Sequence, residues 1–389
     1  MKVLKTFSAA IIMFMLLSAA SWADIIYTTS DGVLGSIVII SSSDIVEPSI
    51  EYRSGIDEPY LSAYWNGNGT NIMLIDPYKT ESGDRAYIFS PTSLASPSES
   101  RDIAGVYGAY LSGYANNGRS LFMAAGSKIF EVKTSDFAVV NSYDCRKILS
   151  SDGNDTEIVS VLVDNDYVHV IVGSDNARKF VRFDGQLKDN VKYFISADVS
   201  ADASCLFKLS NTVLMGCQPG IMSLGSNGKF VQYISSDATV VSMCEDDEER
   251  FYYATKESSD QTYTFTVTNI QNSSLRTKFS KREILSSYPY IKMMRDKDKD
   301  VLAIMTGESI SLFDVKTGRA LRTFSASELG GRPLGMIMSS VSGYSSSSSS
   351  SGCSGQTGGL LLAGLAGFAM NKLRKKHMTS AKDRRIKQD

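Results

Sequence analysis

Histidine is nearly missing from this 389-residue chain: there are two, and one of them, His377, sits in the C-terminal tail. That scarcity excludes a histidine-rich metal centre and most histidine-dependent catalysis. A basic excess is missing too. Two lysines in residues 1–23, and eight basic against two acidic side chains in 371–389, leave thirty basic and forty acidic residues between them. A body with a net charge of about −10 lacks the concentrated basic face that phosphate binding requires, so nucleic acid is excluded as a partner. Cysteine is sparse: Cys145, Cys205, Cys217 and Cys244 lie in the body, and His169 is the sole body histidine available to a thiol nucleophile. What is present is apolar material, 43% hydrophobic and 10% aromatic against 21% charged, enough for a large core and incompatible with wholesale disorder.

The two ends have the composition of addresses. Lys2 and Lys5 precede an apolar stretch from Ala9 to Ala20, and Ser21-Trp22-Ala23 places small residues where signal peptidase needs them. Residues 1–23 are therefore expected to be a signal peptide cut after Ala23, with an uncleaved anchor as the alternative; export follows from either. Residues 345–357 form a Ser/Gly-rich linker that opens with seven consecutive serines and contains Gly352 and Cys353. A serine tract buries no apolar surface and stays a solvated spacer. Residues 358–371 are then expected to form a short transmembrane or sorting helix. Its apolar stretch, Gly358 to Met370, spans about 20 Å as a helix. Residues 372–389, with Arg374, Lys375 and Lys376, form a basic tail expected to stay cytoplasmic.

This succession of polar spacer, Gly-Cys, hydrophobic segment and basic cluster resembles the cysteine-containing C-terminal sorting signals of bacteria, most closely the Synergist type. The resemblance covers residues 345–376. It implies delivery to the cell surface, processing or attachment at Cys353, and a sorting protease as partner. A plain C-terminal membrane helix is the alternative.

Between the ends, one apolar segment recurs: Leu61–Tyr64, Leu111–Tyr114, Val159–Leu162, Cys205–Lys208, Val241–Cys244, Ile291–Met294 and Leu334–Ile337. The copies begin 50, 48, 46, 36, 50 and 43 residues apart. Each is followed by polar turns and further apolar runs, as in Ser127 to Tyr143 and Glu308 to Phe324. Four short strands per repeat of this length predict propeller blades. The N-terminal unit has only three strands, Ile25 to Thr29, Ser36 to Ile40 and Ser49 to Tyr52, and Pro333 to Ser340 supplies the missing one from the far end of the chain. The expected fold is thus all-β: a seven-bladed propeller over residues 24–344, closed by a C-terminal strand that completes the N-terminal blade. A pair of β-sandwiches is the runner-up. The Phe313-Asp314-Val315-Lys316-Thr317-Gly318-Arg319 turn is similar to those of YVTN and quinoprotein-type bacterial propellers, and no repeat carries the Trp-Asp dipeptide of WD40 proteins.

Chemical signals are few. Asp296, Asp298 and Asp300 have calcium-loop spacing, but no glycine holds the sixth position, so a solvated turn is the expected reading and no metal or cofactor is assigned. Cys205 and Cys217 are symmetric about Asn211, which allows a hairpin disulfide beside the alternative of reduced, buried thiols. Gly67-Asn68-Gly69 has no following helix and is no phosphate cradle. No convergent acid and base emerge, so no catalytic residue is assigned and a non-enzymatic role is expected. Loops on the propeller face opposite the chain's exit should carry binding. Arg146, Lys147, Lys281, Arg282, Tyr288 and Tyr290 are the candidates. The expected function is a monomeric, surface-anchored module for a protein or glycan, with an envelope-assembly scaffold or a propeller hydrolase or lyase as alternatives.

Overall fold

The computed structural model describes residues 23–339, apart from 55–61, 66–70, 91–92, 115–118, 150–155, 165–166, 175, 185–186, 188–194, 248–249, 260–261, 272–273, 285–291 and 297–298. The described strands form seven four-stranded antiparallel sheets in a β-propeller arrangement. Six sheets each use four consecutive strands. They are numbered here as blades 1 to 6: residues 62–104, 111–144, 157–199, 205–235, 239–284 and 292–325. The contiguous blades are therefore six, one fewer than the seven repeats read from the spacing. The remaining sheet is composite, with Pro333–Ser339 as its first strand, followed by Ala23–Thr29, Val33–Ile39 and Ser49–Arg53.

Burial explains the strand patterns. A second strand lies between two neighbouring sheets, so both of its faces are covered and it is apolar throughout. Val301–Met305 is buried at every position, whereas in the outermost strand of the same blade, Ala320–Ser325, Phe324 alone is buried and the rest are half-buried or exposed. The core falls into seven apolar clusters, each between successive sheets. One joins blade 3 to blade 4 through Leu162, Ile171 and Phe180 against Leu206 and Met215. Another returns from blade 6 to the composite sheet through Val301, Ala303 and Leu312 against Ile25, Tyr27 and Met336.

Local chemistry sets the turns. Asp314 Oδ1 accepts from Thr317 N at 2.7 Å and Thr317 Oγ1 at 2.9 Å, and Gly318 follows at φ 72°, where a side chain is disfavoured. Ser325 and Glu328 form a capping box for the short helix Ala326–Leu329, which ends at Gly330 with φ 80°. That helix delivers the chain to the closing strand. There Ser30 N donates to Arg332 O at 2.7 Å and Arg332 N to Ser30 Oγ at 3.1 Å, tying residues 302 positions apart.

Ala23 is the first residue of its strand and pairs with Ile39. Gly352, Cys353, Arg374, Lys375 and Lys376 lie outside the described residues, as does the segment expected to form a membrane helix. Among the described residues, no helix is long and apolar enough to cross a membrane.

Candidate functional site

The register of the composite sheet orients the propeller. Asp24 pairs with Ser339 at one end and Thr29 with Pro333 at the other, so the chain enters and leaves this sheet at the same end, the near end. Antiparallel alternation then places the inter-blade loops and the turns between second and third strands at the opposite, far end. The loops 105–110, 200–204, 236–238 and 326–332 lie there, with the turns at Glu81-Ser82 and Gln218-Pro219.

The candidate binding residues do not converge. Arg146 and Lys147 belong to a short helix, Arg146–Leu149, in the far-end loop between blades 2 and 3. The Arg146 guanidinium is held in a fork by Asp144, and this bond is the main reason the Asp144 carboxyl is pulled down to about 2. Arg146 therefore anchors its own loop. Lys147 Nζ lies 5.9 Å from the centre of the Tyr143 ring. Lys281 and Arg282 are on the outermost strand of blade 5, paired with Phe265 and Thr264, with blades 3 and 4 between them and Arg146. Tyr288 and Tyr290 lie outside the described residues.

A pocket absent from the sequence reading opens at the far end of blade 4. Ser200, Ala201, Asp202, Gln218 and Pro219 line a shallow, open space of 340 Å³. The Gln218-Pro219 bond is cis, and Gly220 follows at φ 128°, where a Cβ would lie 2.2 Å from Ile234 O. Asp202 Oδ2 accepts from Gln218 N at 2.8 Å, joining the inter-blade loop to this turn. A Pro-Gly between two apolar runs signals only a turn, and nothing in it records the segment that the turn meets.

Of the two readings of Cys205 and Cys217, the structure has the reduced thiols and not the hairpin disulfide. Leu209 pairs with Thr212, which centres the turn between Ser210 and Asn211, not on Asn211. That half-residue difference sets Cys205 opposite Gly216, so Cys217 faces the other side of the sheet. All four body cysteines are free thiols. Burial pushes Cys145 and Cys205 up to about 12 and Cys217 to about 11, far from the thiolate a nucleophile needs.

The Asp296–Asp300 turn is built around protein cations. Asp296 Oδ1 accepts from Lys299 N at 3.0 Å, while Asp300 pairs with Arg295 at 3.0 Å and with Lys316. Among the described residues, no three acidic, histidine or cysteine side chains are grouped to hold a metal.

One buried polar cluster does converge, at the near end between blades 3 and 4. Lys208 is 7% exposed and pairs with Asp164, and His169 Nε2 is 3.9 Å from the same carboxylate. The His169 ring stacks on Phe180, and its backbone pairs with Arg182. Burial is the main cause lowering the His169 pKa from 6.5; Arg182 and Lys208 add to this, while Asp164 opposes it. Below pH 6.5 the unfolded chain takes up a proton that the folded protein resists. Stability is therefore expected to be level above pH 6.5 and to fall as the pH drops below it, by at most about 1.4 kcal/mol per pH unit. Because His169 is the only histidine in residues 24–344, His169→Phe should flatten the urea midpoint between pH 7 and 5.5. An unchanged slope in that variant would assign the effect elsewhere.

Compared by sequence, the chain matches no protein-family profile and no curated protein. Solved structures match its fold. A candidate 6-phosphogluconolactonase from Bacteroides fragilis superposes with a TM-score of 0.57 at 10% identity, over 82% of this chain and 98% of that one. A protein of unknown function from Desulfotomaculum acetoxidans gives 0.56 at 10% identity, with the same coverages. At this identity the likeness shows the fold alone. It nevertheless corrects the expectation of a non-enzymatic role: a neighbour in this architecture is a candidate enzyme, so the exclusion of activity does not stand.

Proposed function

We propose that this chain is an exported, envelope-bound propeller of seven blades, closed by its last strand, that binds a protein or glycan through the far end. The observation that carries this reading is the shared exit. Both ends of the propeller leave at the near end, so a tether attached there leaves the inter-blade loops and the Asp202 pocket facing away. The signal-like N-terminus and the serine spacer before Cys353 support export and anchoring.

The test is cross-linking of the protein in its native envelope, followed by mass spectrometry. An N-terminus at Asp24, modification or cleavage at Cys353, and partner cross-links on loops 105–110, 200–204 and 236–238 are expected. Cross-links confined to the near end would overturn the binding face, and an intact N-terminus with no envelope association would overturn export. A second reading, a propeller hydrolase, rests on the lactonase-like neighbour. Hydrolysis of 6-phosphogluconolactone by the purified chain, lost on changing far-end carboxylates, would favour it.

A further inference from the structure

Each sheet ends on its outer side in a strand that pairs on one side only, and such an edge is a template for another chain unless something blunts it. Charge does so in six of the seven. The outermost strands carry Glu51 in the composite sheet, Arg101 in blade 1, Asp144 in blade 2, Asp198 in blade 3, Lys281 in blade 5 and Arg322 in blade 6. Blade 4 is the exception: its outermost strand, Phe230–Ser235, has no charged residue. Val231 is 52% exposed there and Tyr233 47%. A bulge at Tyr233 does not take the place of a charge, since the composite sheet and blades 2, 5 and 6 have a bulge in the same pairing and carry charges as well.

The rest of the strand is occupied within the ring. Phe230 packs into the cluster with blade 3 and Ile234 into the cluster with blade 5. Gln232 Nε2 donates to Ile234 O at 2.5 Å and to Pro219 O at 3.4 Å. The Tyr233 ring stacks on Phe251 with centroids 6.5 Å apart, which fixes its position. What faces outwards is an uncharged strand edge bearing two apolar side chains. Charge returns just beyond its ends: Lys229 precedes the strand, Asp237 follows it, and both are exposed. Neither is in an ion pair among the described residues.

We infer that this edge receives the same edge of a second copy of the chain, in place of the monomer expected from the sequence, so that two blade 4 sheets join antiparallel across a twofold axis. Antiparallel pairing of a strand with itself is what a twofold axis normal to the sheet imposes. It sets Lys229 of each copy beside Asp237 of the other, whereas a parallel alignment would bring like charges together. Any other partner would have to match an edge with opposite charges at its two ends; the strand's own reverse matches it by construction. The same alignment covers Val231 and Tyr233 of both copies. Strands twist by about 20–25° at each step, so the outermost lies roughly 60–75° from the innermost, and a twofold axis normal to the sheet there keeps both near ends on one side. Six residues a side is well below the roughly 20–30 of a standard interface, so the association is expected to depend on concentration.

Sedimentation equilibrium of the full chain in detergent, over a range of concentrations, tests this. A monomer–dimer equilibrium is expected. Val231→Lys supplies the charge that the other edges carry and should weaken the dimer by about tenfold or more at an unchanged melting temperature. Lys229→Asp and Asp237→Lys should each weaken it by about threefold or more, and the two together should regain most of the affinity. In the unaltered protein, amide exchange at residues 230–235 should slow as the concentration rises; this measurement decides if Val231→Lys lowers the melting temperature. A chain that stays monomeric to its solubility limit, or exchange at 230–235 that ignores concentration, would overturn the inference. So would a dimer that tolerates Val231→Lys, or a double reversal no tighter than the single ones, because association would then run through the tail or another face.

Discussion

Truncation after Arg332 is expected to abolish cooperative folding, whereas truncation after Tyr344 should leave the unfolding transition unchanged. The shorter product lacks the strand Pro333–Ser339, in which Met336 is fully buried and Ile337 and Met338 are 2% and 4% exposed. At about 1.5–3 kcal/mol for each large apolar side chain, these three contribute about 5–9 kcal/mol. That is comparable to the whole stability of an ordinary domain, about 5–15 kcal/mol. The loss also uncovers Ile25 and Tyr27 and bares the edge of Ala23–Thr29, a template for aggregation. Circular dichroism melts and size-exclusion profiles of the two truncations test this. A sharp melt at an undiminished temperature in the shorter product would show that the strand is dispensable.

Asp164→Ala is expected to be the most destabilising of the polar substitutions, at about 3–5 kcal/mol, because it strands the Lys208 ammonium at 7% exposure. The pair spans two blades, 44 residues apart. Replacing both partners, Asp164→Ala with Lys208→Met, should recover most of the loss, since an apolar pair removes the uncompensated charge. Urea unfolding of the two singles and the double gives the coupling directly. A double variant no more stable than Asp164→Ala would mean that the carboxylate matters for some reason other than Lys208.

The fold was legible because propeller strands carry their burial in short, repeated words. The segments beginning at Leu61, Leu111, Val159, Cys205, Val241, Ile291 and Leu334 each overlap the innermost strand of a sheet. Apolar second strands such as Val301–Met305 stand out because both faces are covered. The missing partner of the N-terminal unit was likewise visible as the surplus strand at Pro333. The candidate site was far less legible. A charged side chain does not reveal its partner in the sequence: Asp144, two positions away, engages Arg146, and Lys281 and Arg282 belong to a strand. The cysteine pairing depended on a turn centre that composition does not resolve to half a residue. The pocket arises where separate segments meet, residues 200–202 with 218–219. No local pattern records such meetings.

The far-end surface, the exit of both termini and the closing strand all depend on Asp24 and Ser339 lying side by side. Cysteines introduced at both positions test that directly under mild oxidation. An intramolecular disulfide joining the two, found by peptide mass mapping and accompanied by a higher melting temperature, is the predicted result. Thiols that stay free in the folded protein, or that link only between molecules, would contradict the closed ring.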